Sequence, residues 1–122
     1  MAGGIYNETY FRGHPEEASS PGILYCVILV NRKTFVRECL KIGIAKGTNF
    51  KDVIKRSRGF TGYDLRIQRT YTDTLYNVWK LEQALHEEFK EYRYYSKHKF
   101  GGHTELFEIR EEIIKSIPAK KK

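Results

Sequence analysis

The sequence lacks any long apolar run, and this absence excludes a membrane-spanning helix. Its longest apolar stretch, Ile23 to Val30, has the length of a β-strand, whereas a helix that crosses a membrane needs roughly 18–20 apolar residues. The N-terminus has no apolar segment behind a basic start, so no signal peptide is predicted. We therefore expect a cytoplasmic protein that has no membrane partner.

Cysteine is also scarce, which argues against two further classes of site. The chain has two cysteines, Cys26 and Cys39, and four histidines. No short Cys-x-x-Cys spacing is present, so a tetrahedral zinc site is not expected. Both cysteines fall in predicted strands and could face each other across a hairpin. Because the chain shows no export signal, we expect free buried thiols instead.

No internal repeat and no break in composition divides the 122 residues. A chain of this length is predicted to form one domain with a single core. The first residues are rich in glycine, serine and proline without a hydrophobic period, which is typical of an arm. We divide the chain into a flexible N-terminal arm at 1–21, a folded domain at 22–118 and a basic tail at 119–122.

Charge is the first functional indication in what the chain does contain. Lys and Arg number 22 against 15 Asp and Glu, which gives a formal net charge of +7. Such a surplus attracts polyanions, and each phosphate contact gains from counterion release. Nine tyrosines add aromatic faces that suit bases and sugars. The alternative is that the charge only keeps the domain in solution.

Hydrophobic periodicity predicts an α+β fold with a small central antiparallel β-sheet of about three to four strands, flanked by helices. The apolar run from Ile23 predicts a buried central strand, and the polar turn Asn31–Thr34 joins it to a second strand as a hairpin. Asp73 or Thr74 could cap the longest helix. Strands are predicted at 23–30, 35–44, 65–71 and 106–109, and helices at 51–58, 75–92 and 110–117.

Two short motifs in these strands resemble the elements that name the GIY-YIG nuclease family. The first is Gly22-Ile23-Leu24-Tyr25, in which Leu24 is one residue more than the family triplet has. The second is Lys41-Ile42-Gly43, as in the KIG branch common in phage and bacterial proteins. An arginine-bearing helix, the Thr61-Gly62 turn, Leu81-Glu82 with Leu85-His86, and Thr104 to Phe107 follow in the family's order.

The resemblance implies a divalent-metal-dependent endonuclease that hydrolyses phosphodiester bonds in nucleic acid, with DNA expected before RNA and Mg²⁺ (or Mn²⁺) as the cofactor. It places Tyr25 at the attacking water. A free tyrosine loses its proton only near pH ~10, so nearby cations such as Lys41 would have to assist. Taken alone, Tyr25 could be a packed core aromatic and Lys41 a residue on the solvent face of its strand.

The resemblance also implies an arginine whose guanidinium makes a bidentate contact with the scissile phosphate. Arg56 and Arg58 are the candidates, and both stay open. Glu82 is the expected metal ligand, since a hard carboxylate oxygen with waters and a phosphate oxygen suits magnesium. His86 shares a helix face with Glu82 and could orient it, or could be a packed histidine bonded to backbone.

Substrate contacts are predicted from basic and aromatic residues near these motifs. The expected contact residues are Tyr63, Lys55, Arg93 and Tyr95. The chain is too short for a separate recognition domain, so specificity would come from loops, from a homodimer or from a partner. The host would be a bacterium or a phage-infected cell.

Two other functions remain open from the sequence. The stretched first motif and the distant arginine fit an inactive module that binds nucleic acid on the same scaffold. A phage protein that uses its basic face to bind an acidic protein is the second alternative.

Overall fold

A computed structural model of the protein describes residues 6–49, 62–95 and 106–118. Four strands form one antiparallel sheet: β1 (Pro21–Asn31), β2 (Arg37–Lys46), β3 (Tyr63–Thr74) and β4 (Leu106–Phe107). The helices are α1 (Glu8–Gly13), α2 (Pro15–Ala18), α3 (Leu75–Glu88) and α4 (Glu111–Ser116), with a 3-10 turn at Lys90–Tyr92. The predicted fold class, an antiparallel sheet flanked by helices, is confirmed.

Strand β1 lies in the interior of the sheet, whose spatial order is β3-β1-β2-β4. Its residues from Gly22 to Val30 are all buried, as the unbroken apolar run predicted. The pairing of β1 with β3 shifts by one residue between Cys26 and Val27, and such a bulge locally bends the strand.

Helix α3 covers one face of the sheet. Thr74 caps its first turn, because the Thr74 side chain accepts a hydrogen bond of 3.2 Å from the backbone N–H of Asn77. Its buried residues recur at three- and four-residue steps, which is the pattern of a helix lying on a core. They are Leu75, Val78, Glu82 and Leu85, followed by Phe89 just past the helix end. None of the described helices is long and apolar enough to span a membrane.

The start of the described chain differs from the expected flexible arm. Residues 8–18 form the short helices α1 and α2, and Phe11 is buried in the same core cluster as α3. Its ring lies 5.4 Å from that of Trp79 between ring centroids. One buried aromatic within a short polar segment leaves no hydrophobic period, so no sequence pattern indicates this docking.

The turn between β1 and β2 is longer than predicted. Phe35 was expected in the second strand, but its φ of 60° places it in the turn, and β2 begins at Arg37. The predicted strand at 106–109 is shorter, and ends at Phe107. The predicted basic helix at 51–58 lies outside the described residues.

The expectation of free, buried thiols is confirmed. Cys26 packs with the residues under α3, whereas Cys39 packs on the opposite face of the sheet. Two cysteines on opposite faces of a sheet cannot be bridged. Burial raises the pKa of each thiol to about 12, which keeps both protonated and poorly reactive at neutral pH.

Candidate functional site

The register of the hairpin brings the two motif residues to the same face of the sheet. Tyr25 pairs with Gly43, and Val27 pairs with Lys41, in an unbroken register from Gly22 to Leu29. Alternate residues of a strand share a face, and directly paired residues do too. We call the face that carries Tyr25, Lys41 and Gly43 the site face, and the one under α3 the helix face. The prediction that Tyr25 and Lys41 share a face is confirmed.

Gly43 leaves the space in which the two side chains meet. A Cβ atom at this position would lie 2.6 Å from Tyr25 Oη and 3.2 Å from Lys41 Nζ. The Lys41 ammonium also lies 5.8 Å from the centroid of the Tyr25 ring. A hydroxyl and an ammonium therefore converge over a backbone that only glycine leaves open.

Both side chains are buried, although both are polar. Tyr25 is 1% exposed and Lys41 is 2% exposed, so the alternative that Lys41 lies on the solvent face is wrong. The Tyr25 hydroxyl has no hydrogen-bond partner among the described residues. Buried polar atoms almost always have a partner, and leaving one without costs about 1–3 kcal/mol. An unpartnered hydroxyl beside an ammonium suits a water molecule or a phosphate oxygen.

Helix α3 crosses the helix face obliquely and ends at the outer edge of β2. Its first turn lies against β1, since a Cβ at Gly22 would lie 2.8 Å from Leu75 Cα. Near its other end, His86 Nε2 lies 3.2 Å from the carbonyl oxygen of Ile42. The His86 ring also lies 5.3 Å from that of Phe107. His86 is thus a packed histidine bonded to backbone, which was one of the two predicted roles.

The Ile42 carbonyl points away from β1, which places His86 at the edge of the strand. The N–H of Gly47 donates a 2.9 Å hydrogen bond to the carbonyl oxygen of Pro21, which marks these two residues as a hydrogen-bonded pair. In an antiparallel pair, hydrogen-bonded positions alternate with non-hydrogen-bonded ones, so the pair Tyr25–Gly43 is hydrogen-bonded and Ile42 faces outward. Strand β4 pairs only with Leu40 and Lys41. Beyond Lys41, the β2 edge has no neighbouring strand among the described residues.

Glu82 lies one helical turn before His86 and is 2% exposed. The side-chain amide of Gln83 donates a 3.3 Å hydrogen bond to Glu82 Oε1. Because α3 packs on the helix face, Glu82 approaches β2 from the side opposite Tyr25. Glu82 therefore lies on the other face of the sheet from Tyr25 and Lys41, and its role as a metal ligand stays a prediction.

The donor chemistry at this place suits a hard divalent cation. Among the described residues, no three His, Cys, Asp or Glu side chains form a group that could hold a metal ion. The predicted site has one carboxylate, with waters and a phosphate supplying the other oxygens, so it needs no such group. The Tyr25 hydroxyl, which has no partner among the described residues, leaves one polar atom on the site face for a water or a phosphate oxygen.

Tyr63 does not join this cluster. It pairs with Asn31, six residues along β1 from Tyr25. The ring is 6% exposed, and the hydroxyl donates a 2.9 Å hydrogen bond to Glu38 Oε1. Burial, and then the Glu38 carboxylate, raise the pKa of Tyr63 to about 12. A buried ring cannot stack on a base, so the predicted substrate contact at Tyr63 is corrected to a packing role.

Glu38, the partner of the Tyr63 hydroxyl, was not among the predicted residues. Simple alternation along β2 would place Glu38 with Leu40 on the helix face, but the pairing of β1 with β2 shifts between Leu29 and Val30. Glu38 consequently meets Tyr63. No feature of the sequence indicates this bulge.

The remaining predicted residues divide into two groups. Arg93 bridges to Phe107 beside β4, with its Cζ 5.7 Å from the centroid of the Phe107 ring, and Tyr95 is 81% exposed. Both remain candidates for substrate contact at the β4 edge. Lys55, Arg56 and Arg58 lie outside the described residues.

Comparison with known protein families assigns the chain to one of them. The T5orf172 domain matches residues 22–120. The chain belongs to the T5orf172 domain family. This domain is found in phage and bacterial proteins and is linked to an endonuclease-like role. Neither a curated protein nor a solved structure matches the chain. The matched residues contain β1 from Gly22 onward and β2 to β4, with Tyr25, Lys41, Gly43 and Glu82, and they exclude α1 and α2.

Proposed function

We propose that this T5orf172 domain is a divalent-metal-dependent endonuclease with a GIY-YIG-type site that hydrolyses phosphodiester bonds, with DNA as the expected substrate. The observation that carries the proposal is the buried Tyr25 hydroxyl without a partner among the described residues, next to Lys41 over Gly43. A fold does not need a buried hydroxyl and a buried ammonium at this place. Phosphodiester hydrolysis needs both a group at the attacking water and a cation at the phosphoryl oxygens.

Each residue has a distinct task in this proposal. The Tyr25 oxygen holds the attacking water and takes its proton as the hydroxyl's own proton passes to a further base. Lys41 provides fixed positive charge where the phosphoryl oxygens gain negative charge. Arg56 or Arg58 binds the same phosphate through a bidentate guanidinium contact.

Glu82 would hold Mg²⁺ or Mn²⁺ through a carboxylate oxygen. When bound, the ion supplies charge stabilisation to the phosphoryl group and to the departing alkoxide. His86 keeps this part of α3 attached to the Ile42 carbonyl, which fixes the level of Glu82 along β2. His86 is therefore a positioning residue.

The metal assignment is tested by Glu82→Gln. Glutamine keeps the shape of the side chain but loses its charge, so we expect plasmid cleavage in magnesium to disappear. Binding of the same DNA in chelator should be retained or slightly tighter, because one negative charge near the phosphates is removed. Binding should also weaken steeply with salt, by about 0.9 log units per phosphate contact for each tenfold rise in salt.

Glu88→Gln is the matched control, since Glu88 is an exposed residue of the same helix and loses the same charge. It should cut plasmid like the wild type. Cleavage by Glu82→Gln at the wild-type rate would remove Glu82 as the metal ligand. Wild-type protein that binds DNA yet cuts in neither Mg²⁺ nor Mn²⁺ would favour the inactive binding module, which the burial of Glu82 also fits.

A further inference from the structure

The turn that joins β1 to β2 exposes apolar side chains that the fold does not use. We call Arg32–Val36 the hairpin tip. Phe35 is 80% exposed and Val36 is 53% exposed. Large apolar side chains exposed side by side are a common mark of a binding surface.

The backbone holds Phe35 in a strained conformation. Its φ of 60° is in the left-handed region, which a bulky residue rarely adopts. Asn31 holds the turn by three hydrogen bonds. Its side-chain oxygen accepts hydrogen bonds from the backbone N–H groups of Lys33 (2.8 Å) and Thr34 (3.2 Å). Its backbone carbonyl accepts one of 2.7 Å from the N–H of Phe35. Strain of this kind persists where the surroundings enforce it, and it clusters at functional sites.

Three cations lie within three residues of Phe35 in the sequence. Arg32, Lys33 and Arg37 are all exposed. Arg32 Nε lies 2.9 Å from Asp64 Oδ1. The backbone N–H of Arg32 donates a 2.8 Å hydrogen bond to the carbonyl oxygen of Gly62, and the two contacts attach the tip to the start of β3. Neither Lys33 nor Arg37 has an ion-pair partner within the part of the chain that the structure describes. The tip therefore combines an apolar point with positive charge that a polyanion would complement.

We propose that the hairpin tip is a wedge for duplex nucleic acid. Phe35 inserts between two base pairs and unstacks them, while Arg32, Lys33 and Arg37 contact the flanking phosphates. Apolar side chains inserted in this way kink a duplex and increase the surface that the protein covers. This inference rests on the proposed function for the nature of the substrate, but it does not involve the catalytic residues.

The length of β1 sets the position of the wedge relative to the cut. Six residues separate Tyr25 from Asn31, which at ~3.3 Å per residue is roughly 20 Å. A duplex that follows the hairpin rises roughly 3.4 Å per base pair. The unstacked step should therefore lie about six base pairs from the cut bond.

The test uses the full chain and duplex DNA with 2-aminopurine placed at successive positions, in chelator so that no cleavage occurs. This base becomes brighter when it is unstacked. We expect one step to brighten on binding of the wild type. Phe35→Ala should lose this signal and bind about 10-fold more weakly. Ile109→Ala removes another exposed apolar side chain that is not part of the hairpin tip, and should behave like the wild type.

A second variant separates a binding role from a structural one. Phe35→Gly suits the positive φ, so its thermal midpoint should rise while the 2-aminopurine signal is lost. A fall in the midpoint, with binding unchanged, would mean that Phe35 serves the fold and would overturn the proposal.

Other outcomes also decide the question. Wild-type binding without unstacking at any position would overturn the wedge, as would a complete lack of duplex binding. A loss of binding to phosphatidylserine vesicles by Phe35→Ala, with duplex binding intact, would assign the tip to a membrane surface instead. Plasmid cleavage in magnesium is scored separately, so failure of the wedge and failure of the nuclease are distinguishable.

Discussion

At the scale of single residues, the most informative atom is the Tyr25 hydroxyl. A phenylalanine would fill the same apolar space on the site face without a buried oxygen that lacks a partner among the described residues. The burial of Lys41 nearby adds a second polar group that the core does not require. The two groups over one glycine fit the proposed function, in which both would contact a phosphate.

Gly43→Ala tests whether this local space matters. The new Cβ would lie 2.6 Å from Tyr25 Oη and 3.2 Å from Lys41 Nζ, so both side chains must move. Displacement of reacting groups by an ångström can cost about 100-fold in rate. We expect plasmid cleavage to fall by about that factor or more, while circular dichroism shows an intact fold.

Gly22→Ala is the control for overpacking alone. Its Cβ would meet Leu75 Cα at 2.8 Å and Val78 Cγ2 at 2.9 Å, contacts between β1 and α3 that lie on the helix face. Forced contacts of this kind cost about 1–3 kcal/mol of unfolding free energy. The variant should melt earlier and still cut plasmid at low temperature. Equal activity of Gly43→Ala and wild type would show that the space over Gly43 is not a site.

At the scale of elements, β1 and α3 could be predicted because each carries a complete pattern. The apolar run of β1 and the three- and four-residue steps of α3 are strong signals. The predicted helix 75–92 ends earlier, at Glu88, because Phe89 leaves helical geometry and a 3-10 turn follows. The helices α1 and α2 were missed, since they bury a single residue, Phe11, and depend on contacts with a distant part of the chain.

Phe11→Ala tests whether α1 belongs to the folded unit. Phe11 is 3% exposed, and its ring contacts Tyr76 and Trp79 of α3 at centroid distances of 5.5 and 5.4 Å. Loss of a buried phenylalanine costs about 3–5 kcal/mol. Urea denaturation should report a decrease of this size.

Tyr95→Ala is a matched control, because Tyr95 is 81% exposed and its loss should leave the unfolding free energy within about 0.5 kcal/mol. An unfolding free energy of Phe11→Ala equal to that of the wild type would restore the flexible arm.

At the scale of the whole molecule, the sequence predicted part of the site for a geometric reason. Tyr25 and Lys41 share a face because side chains alternate along strands, and the hairpin register fixes which residues are opposite. The side from which Glu82 approaches depends on how α3 docks against the sheet, and no local pattern encodes that. Tyr63 was predicted to contact the substrate because it follows the Thr61-Gly62 turn near basic residues. Its hydrogen bond to Glu38 depends on a bulge between strands, which no local pattern encodes.

The net charge of +7 and the family assignment both fit the proposed nucleic-acid partner, but neither identifies the reaction. Charge acts on the whole molecule, through attraction and steering, whereas the proposed cleavage would depend on a few atoms over Gly43. If the Tyr25 hydroxyl is present for chemistry and not for stability, its removal should lower the cleavage rate without lowering the unfolding free energy.

The most direct test is Tyr25→Phe, measured by plasmid cleavage in magnesium and by urea denaturation of the same preparation. A general base contributes about 10²–10⁴-fold to a rate, so cleavage should fall by at least about 100-fold. The unfolding free energy should stay the same or rise by about 1 kcal/mol, because a buried oxygen without a partner is removed. Cleavage at the wild-type rate, or a marked loss of stability with activity retained, would contradict the account.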